Sequence, residues 1–95
     1  MNEQLVEWIT RFQKEKDVDA LVNLKAYCYD LIEPLLREYT EKYGEEAGEL
    51  LQQNWDKRFF FILTKYEMNV GLPLDPFVIN SYRFYFMQLL KEAGY

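Results

Sequence analysis

Apolar residues recur at intervals of three and four along almost the whole chain, and nowhere do they alternate with polar residues in the period-two pattern of a strand. Leu5, Trp8, Ile9 and Phe12 mark a first amphipathic helix over Asn2 to about Lys14. The polar run Glu15-Lys16-Asp17 breaks the pattern, and Asp17 is placed to cap a second helix, its carboxylate accepting the free N–H groups of the next turn. That helix carries Leu21, Leu24, Cys28, Leu31, Leu35 and Tyr39 on one long face. Pro34 falls inside it; a proline there loses the bond to the Asp30 carbonyl and clashes with it, which predicts a kink or two abutting helices. The acidic residues between Gly44 and Gly48 read as a loop.

A third helix is expected from about Glu46 to Glu67, with Leu51, Trp55, Phe59, Ile62 and Tyr66 on its core stripe. Phe60 and Phe61 lie off that stripe and must face another helix or a partner. Asn69-Val70-Gly71 supplies a stop, with Gly71 suited to a left-handed turn and Pro73 preventing continuation. Asp75-Pro76 then predicts a new helix, the aspartate as N-cap and the proline at the first helical position. It runs to about Glu92 and is apolar on nearly every side. The expected fold is a single all-α domain over residues 1–95, a compact bundle of four to five helices.

Composition narrows the chemistry. Of 95 residues, 18% are aromatic, enough to fill a core and leave aromatic surface for a partner. There is no histidine, and Cys28 is the only cysteine, so an internal disulfide, a cysteine-based zinc site and a histidine-based catalytic triad are all excluded. Cys28 sits on the apolar stripe and reads as a small buried hydrophobe. No carboxylates stand at a spacing that implies catalysis; neither an enzymatic activity nor a cofactor is expected. The N-terminus has no signal pattern and no apolar run reaches the length of a membrane span, which leads to the expectation of a cytoplasmic protein without membrane partners. The net charge of −5 is concentrated: Asp30, Glu33, Glu38, Glu41, Glu45, Glu46 and Glu49 face only Arg37 and Lys42 in their stretch, and the remainder balances. Such a domain is a poor non-specific DNA binder, because phosphate contacts require Lys and Arg.

The stretch from Lys65 to Arg83 is the most informative. A basic residue, an aromatic and an acid (Lys65, Tyr66, Glu67) are followed at fixed intervals by Gly71, Leu74, Phe77 and Arg83. This spacing resembles region 2 of bacterial sigma factors. Upstream, Leu51 and Gln53 resemble the leucine–glutamine signature of the sigma helix that grips the β′ clamp of RNA polymerase; the glutamine falls on Gln53 or Gln52 according to whether Tyr66 or Glu49 is the anchor. Leu5-Val6, Asp17, Ala20-Leu21, Leu24, Tyr27 and Leu31-Ile32 resemble the preceding helices, so the resemblance spans nearly the whole chain.

The resemblance implies a transcription-initiation factor. Glu49, Gln52, Gln53, Asn54, Asp56, Lys57 and Phe60 would meet the clamp helices of the polymerase core. Asn80, Tyr82 and Arg83 would face DNA at the −10 element, with exposed aromatics near the turn stacking on unpaired bases. The chain departs from the primary sigma pattern where it matters for melting: Asn80 and Ser81 stand in place of a tandem tryptophan pair, and Val70 in place of a basic residue. No counterpart of region 4 is present, so the expected partner is a second sigma-like protein carrying it, with promoter DNA bound only weakly by this chain alone. The competing expectation is a protein-interaction module, such as a phage or mobile-element regulator, that binds a host protein without touching DNA.

Overall fold

The computed structural model describes residues 2–95 and is all-helical, with no strand among them. Its helices are α1 (Glu3–Glu15), α2 (Val18–Tyr43), α3 (Glu45–Asn54), α4 (Phe59–Lys65) and α5 (Leu74–Glu92). A 3-10 turn, Trp55–Arg58, joins α3 to α4, and another, Met68–Val70, lies between α4 and α5. Long α2 is the spine, packing against α1, α3 and α5, while α4 leans on α1. No helix among the described residues is long and apolar enough to cross a membrane.

Local chemistry sets the first boundaries. The Asn2 side chain accepts the Leu5 N–H at 2.8 Å and starts α1. Asp17 caps α2 as its sequence position predicts, accepting the Ala20 N–H at 3.1 Å. Arg11 adds an ion pair to the same carboxylate at 2.7 Å. The Ala20 N–H and Arg11 together hold the Asp17 carboxyl below its ordinary value.

Three expectations are corrected. Pro34 does not divide α2 into two abutting helices: one helix runs through 26 residues across it. Pro34 and Asp30 are both exposed, so water can solvate the carbonyl that lost its partner. The opposite side of α2 buries Ala20, Leu24, Cys28, Ile32, Leu35, Leu36 and Tyr39. At about 1.5–3 kcal/mol for each large side chain, that burial outweighs a proline penalty of about 3 kcal/mol. Leu21 and Leu31, placed on the stripe by spacing, flank it instead.

The acidic loop is a single residue. Gly44, at φ 101° and ψ 169°, occupies backbone space essentially restricted to glycine, and α3 begins at once with Glu45. This abrupt reversal lays α3 so close on α2 that a Cβ at Gly48 would sit 2.2 Å from Thr40 Oγ1. Finally, α5 begins at Leu74, one residue before the expected cap. Pro73, at φ −62°, is the N-cap, and its carbonyl accepts the Phe77 N–H at 3.3 Å. The Asp75 carboxylate accepts the Tyr27 hydroxyl at 2.8 Å instead of capping.

The core stripe predicted for the third helix is buried throughout: Leu51, Trp55, Phe59, Ile62 and Tyr66. Its helix is nevertheless interrupted by the 3-10 turn. Two tyrosine hydroxyls from α5 reach the backbone at this break, Tyr82 donating to the Trp55 carbonyl at 2.8 Å and Tyr85 to the Asn54 carbonyl at 3.1 Å. At the far end of α4, the Gln13 amide from α1 donates to the carbonyls of Leu63 and Tyr66, at 3.1 and 2.7 Å, supplying partners that a helix C-terminus lacks. Gly71 takes the left-handed conformation expected of it, at φ 85°.

Candidate functional site

The residues expected to meet a polymerase clamp fall into one exposed strip. Glu49, Gln52 and Gln53 on α3, Asp56 and Lys57 on the 3-10 turn, and Phe60 on α4 are all exposed, at intervals that keep them on one side of the α3–α4 segment. Asn54 is the exception: it is half-buried, and its amide donates to the Leu50 carbonyl at 2.7 Å. The strip is lightly tethered to its neighbours. Gln52 accepts the Tyr29 hydroxyl at 3.2 Å, and Asp56 pairs with Lys25 at 3.5 Å. That ion pair is exposed on both sides and contributes at most about 1 kcal/mol. Phe60 is 47% exposed, its ring edge-to-face with Phe12 of α1 at 5.1 Å. The Lys16 ammonium lies 5.6 Å from its centroid. The strip thus offers amide and carboxylate groups around one half-open aromatic ring.

The residues expected to face DNA are not brought together. Tyr82 is completely buried: its ring packs against Phe86 at 5.4 Å and Trp55 at 6.4 Å, its hydroxyl is held by Trp55, and burial raises its pKa far above the ordinary tyrosine value. It is not free to stack on a base. Arg83 turns the other way and bonds Glu38 of α2 at 3.2 Å, which raises its pKa. Asn80 is exposed and bonds no side chain; Arg83 is exposed but paired. The cause is helical geometry: Tyr82 lies about 160° round the axis from Asn80 and about 100° from Arg83, so it faces the core while the other two, about 60° apart, stay at the surface.

The aromatics at the turn are also spoken for. Tyr66 is 3% exposed, stacked obliquely on Phe77 at 5.1 Å, with its hydroxyl donating to the Leu72 carbonyl at 2.7 Å. The apolar side chains that the turn shows to solvent are aliphatic, Val70 and Leu72, beside exposed Glu67 and Asn69. Behind it, burial and the Asp75 hydrogen bond push the Tyr27 hydroxyl up to about 12. Cys28 is buried, with its thiol pushed up to about 12 by desolvation, which leaves no thiolate for chemistry at neutral pH. No group of Cys, Asp or Glu among the described residues is clustered to hold a metal ion.

A second open surface escaped the sequence reading. A cleft of about 460 Å³ lies between α4 and α5, with Arg58, Phe61 and Lys65 on one wall and Phe77, Phe84 and Tyr85 on the other. Asn80 and Ser81 form part of its floor. Its signal was present: positions 58, 61 and 65, and positions 77, 80, 81, 84 and 88, each follow helical spacing on faces beside the buried stripes, with buried Ile62 at the boundary. The Arg58 guanidinium lies 5.3 Å from the Phe61 centroid and 5.2 Å from that of Tyr85, and Lys65 lies 5.3 Å from Phe61. No family model, characterised protein or solved structure matches this chain.

Proposed function

We propose that this chain is a transcription-initiation subunit that docks on the β′ clamp helices of RNA polymerase through the α3–α4 strip and works with a separate protein carrying region 4. The observation that supports this reading is the separation of the two predicted surfaces. Glu49, Gln52, Gln53, Asp56, Lys57 and Phe60 form one continuous exposed strip. Tyr82, by contrast, is buried with its hydroxyl on the Trp55 carbonyl, and Arg83, although exposed, is ion-paired with Glu38. In this reading the chain is an adaptor: amides and carboxylates of the strip bond the clamp around Phe60, and promoter melting falls mainly to the partner. Contact with the −10 element through Asn80 is weak in isolation, because phosphate contacts need more free cations than α5 carries.

Binding of the full chain to a purified β′ clamp coiled-coil fragment tests this. Gln53→Ala combined with Phe60→Ala should weaken binding at least tenfold, about 1.4 kcal/mol, with helicity unchanged. No detectable complex, with or without a region-4 partner, rejects the proposal.

The burial of Tyr82 favours a second reading, a regulator that binds a host protein without contacting DNA. Quenching of intrinsic Trp and Tyr fluorescence by a single-stranded −10-type oligonucleotide separates the two. The adaptor reading expects weak quenching, and the second reading expects none.

A further inference from the structure

The α4–α5 cleft is not used by the clamp-docking reading, and its chemistry differs from that of the strip. Phe61 is 50% and Phe84 67% exposed, and both line the same cleft. Single exposed apolar residues are ordinary, but converging aromatics in one concave surface mark an interaction site. The walls include no Asp or Glu, although the chain carries a net charge of −5. Arg11, Lys25, Arg37 and Arg83 each have a carboxylate partner. Arg58 and Lys65 are among the cations with none among the described residues, and they are the two that line this cleft, each resting on an aromatic ring of its walls. The cleft is therefore an apolar trough edged by two unpaired cations in an otherwise acidic domain.

We propose that this cleft docks an acidic amphipathic helix from a partner protein. Apolar side chains one turn apart on that helix fill the space between Phe61, Phe77 and Phe84, and carboxylates on its flank pair with Arg58 and Lys65. The two cations are seven residues apart, about 10 Å along a helix axis, so the matching ligand carries acids at i and i+7 with its apolar anchors between them. Three physical points select this occupant. An apolar trough calls for apolar anchors, and a flanking carboxylate gains a charge-assisted hydrogen bond. A nucleic-acid strand presents a phosphate at every nucleotide, which two cations on a negatively charged domain cannot match. A second copy packed symmetrically on the same face brings no carboxylate to Arg58 and Lys65, because the cleft lining carries none.

The test uses the full chain, isotope-labelled, and two synthetic stapled helical peptides. One carries Leu anchors flanked by Glu residues seven apart; its twin has Lys in place of Glu. The acidic peptide should shift the backbone amide signals of Phe61, Lys65, Asn80 and Phe84, and the lysine twin should bind at least tenfold more weakly. Arg58→Glu with Lys65→Glu should reverse that preference. Phe84→Ser, at an exposed position that the fold does not need, should weaken the acidic peptide about tenfold while helicity and clamp binding stay as they were. This last readout keeps the cleft separate from the α3–α4 strip. The proposal is overturned if neither peptide binds at millimolar concentration, if both bind equally, or if the shifts map to the strip. It is likewise overturned if a single-stranded oligonucleotide occupies the cleft more tightly than the acidic peptide, or if sedimentation shows self-association that Phe84→Ser abolishes.

Discussion

Trp55, Tyr82 and Phe86 pack ring against ring in the interior, with centroids 5.4 to 6.4 Å apart, whereas Phe61 and Phe84, from the same stretches of chain, stand half or more in water. Composition cannot distinguish these sets. Position on the helix does. On α5 the buried residues Leu74, Val78, Tyr82, Phe86 and Leu90 advance four at a time, and Phe77, Ser81, Phe84 and Gln88 occupy the neighbouring face. The first face packs into the core, where Tyr82 meets Trp55 and Phe86. The neighbouring face keeps fewer ties, Phe77 against Tyr66 and, at its edge, the Tyr85 hydroxyl on the Asn54 carbonyl. An aromatic-rich helix can therefore hold the fold with one side and remain open to a partner with the other.

Five measurements sharpen or break that contrast. Phe86→Ala removes a completely buried ring and should cost about 3–5 kcal/mol in urea unfolding. A cost near zero would mean that the interior set does not hold the fold. Gly48→Ala drives a methyl group into Thr40 and should cost about 1–3 kcal/mol, with partial recovery on adding Thr40→Ala. Tyr82→Phe keeps the ring but leaves the Trp55 carbonyl without its donor, at about 1–3 kcal/mol.

Alkaline titration probes the same hydroxyls collectively. The Tyr27 and Tyr82 pKa values are raised in the fold above the ordinary 10.0, that of Tyr27 to about 12, so the folded state holds these protons more tightly than the unfolded chain. Their stabilising contribution is full below pH 10 and is lost as pH rises toward and beyond 12. Tyrosinate absorbance and helicity should change together over that range, and Tyr82→Phe should lessen the dependence. Smallest of all, Phe84→Ser should alter stability by no more than about 0.5 kcal/mol, because its ring contributes little buried area. A larger loss would place Phe84 with the interior set.

Much of the architecture was legible because it rests on local rules. Asp17 caps α2 through a bond to a residue only three positions on, and Gly71 turns left-handed where the pattern stops. The core stripe from Leu51 to Tyr66 follows from spacing alone. The exposed strip was largely legible for the same reason, since polar residues opposite a core stripe face water; only Asn54 turned aside, to its own backbone.

The DNA-facing set was less legible because side-chain tips choose partners far away in sequence. Tyr82 bonds a carbonyl 27 residues before it, Arg83 a carboxylate 45 residues before it, and Asp75 a hydroxyl 48 residues before it. Each looked free, or committed to a local cap, in a linear reading.

By itself, then, the sequence determined the helical segments, the Asp17 cap, the Gly71 turn and most of the stripes that form the core, because periodicity and capping are short-range properties of the chain. Only the tertiary structure decided that α2 continues through Pro34, that a single Gly44 reverses the chain, and that the aromatic helix α5 is divided between core and cleft. Those outcomes depend on which faces meet across the bundle. Burial on one side of a helix can override a local penalty on the other, and a polar group in the interior takes whichever partner the packing brings within reach.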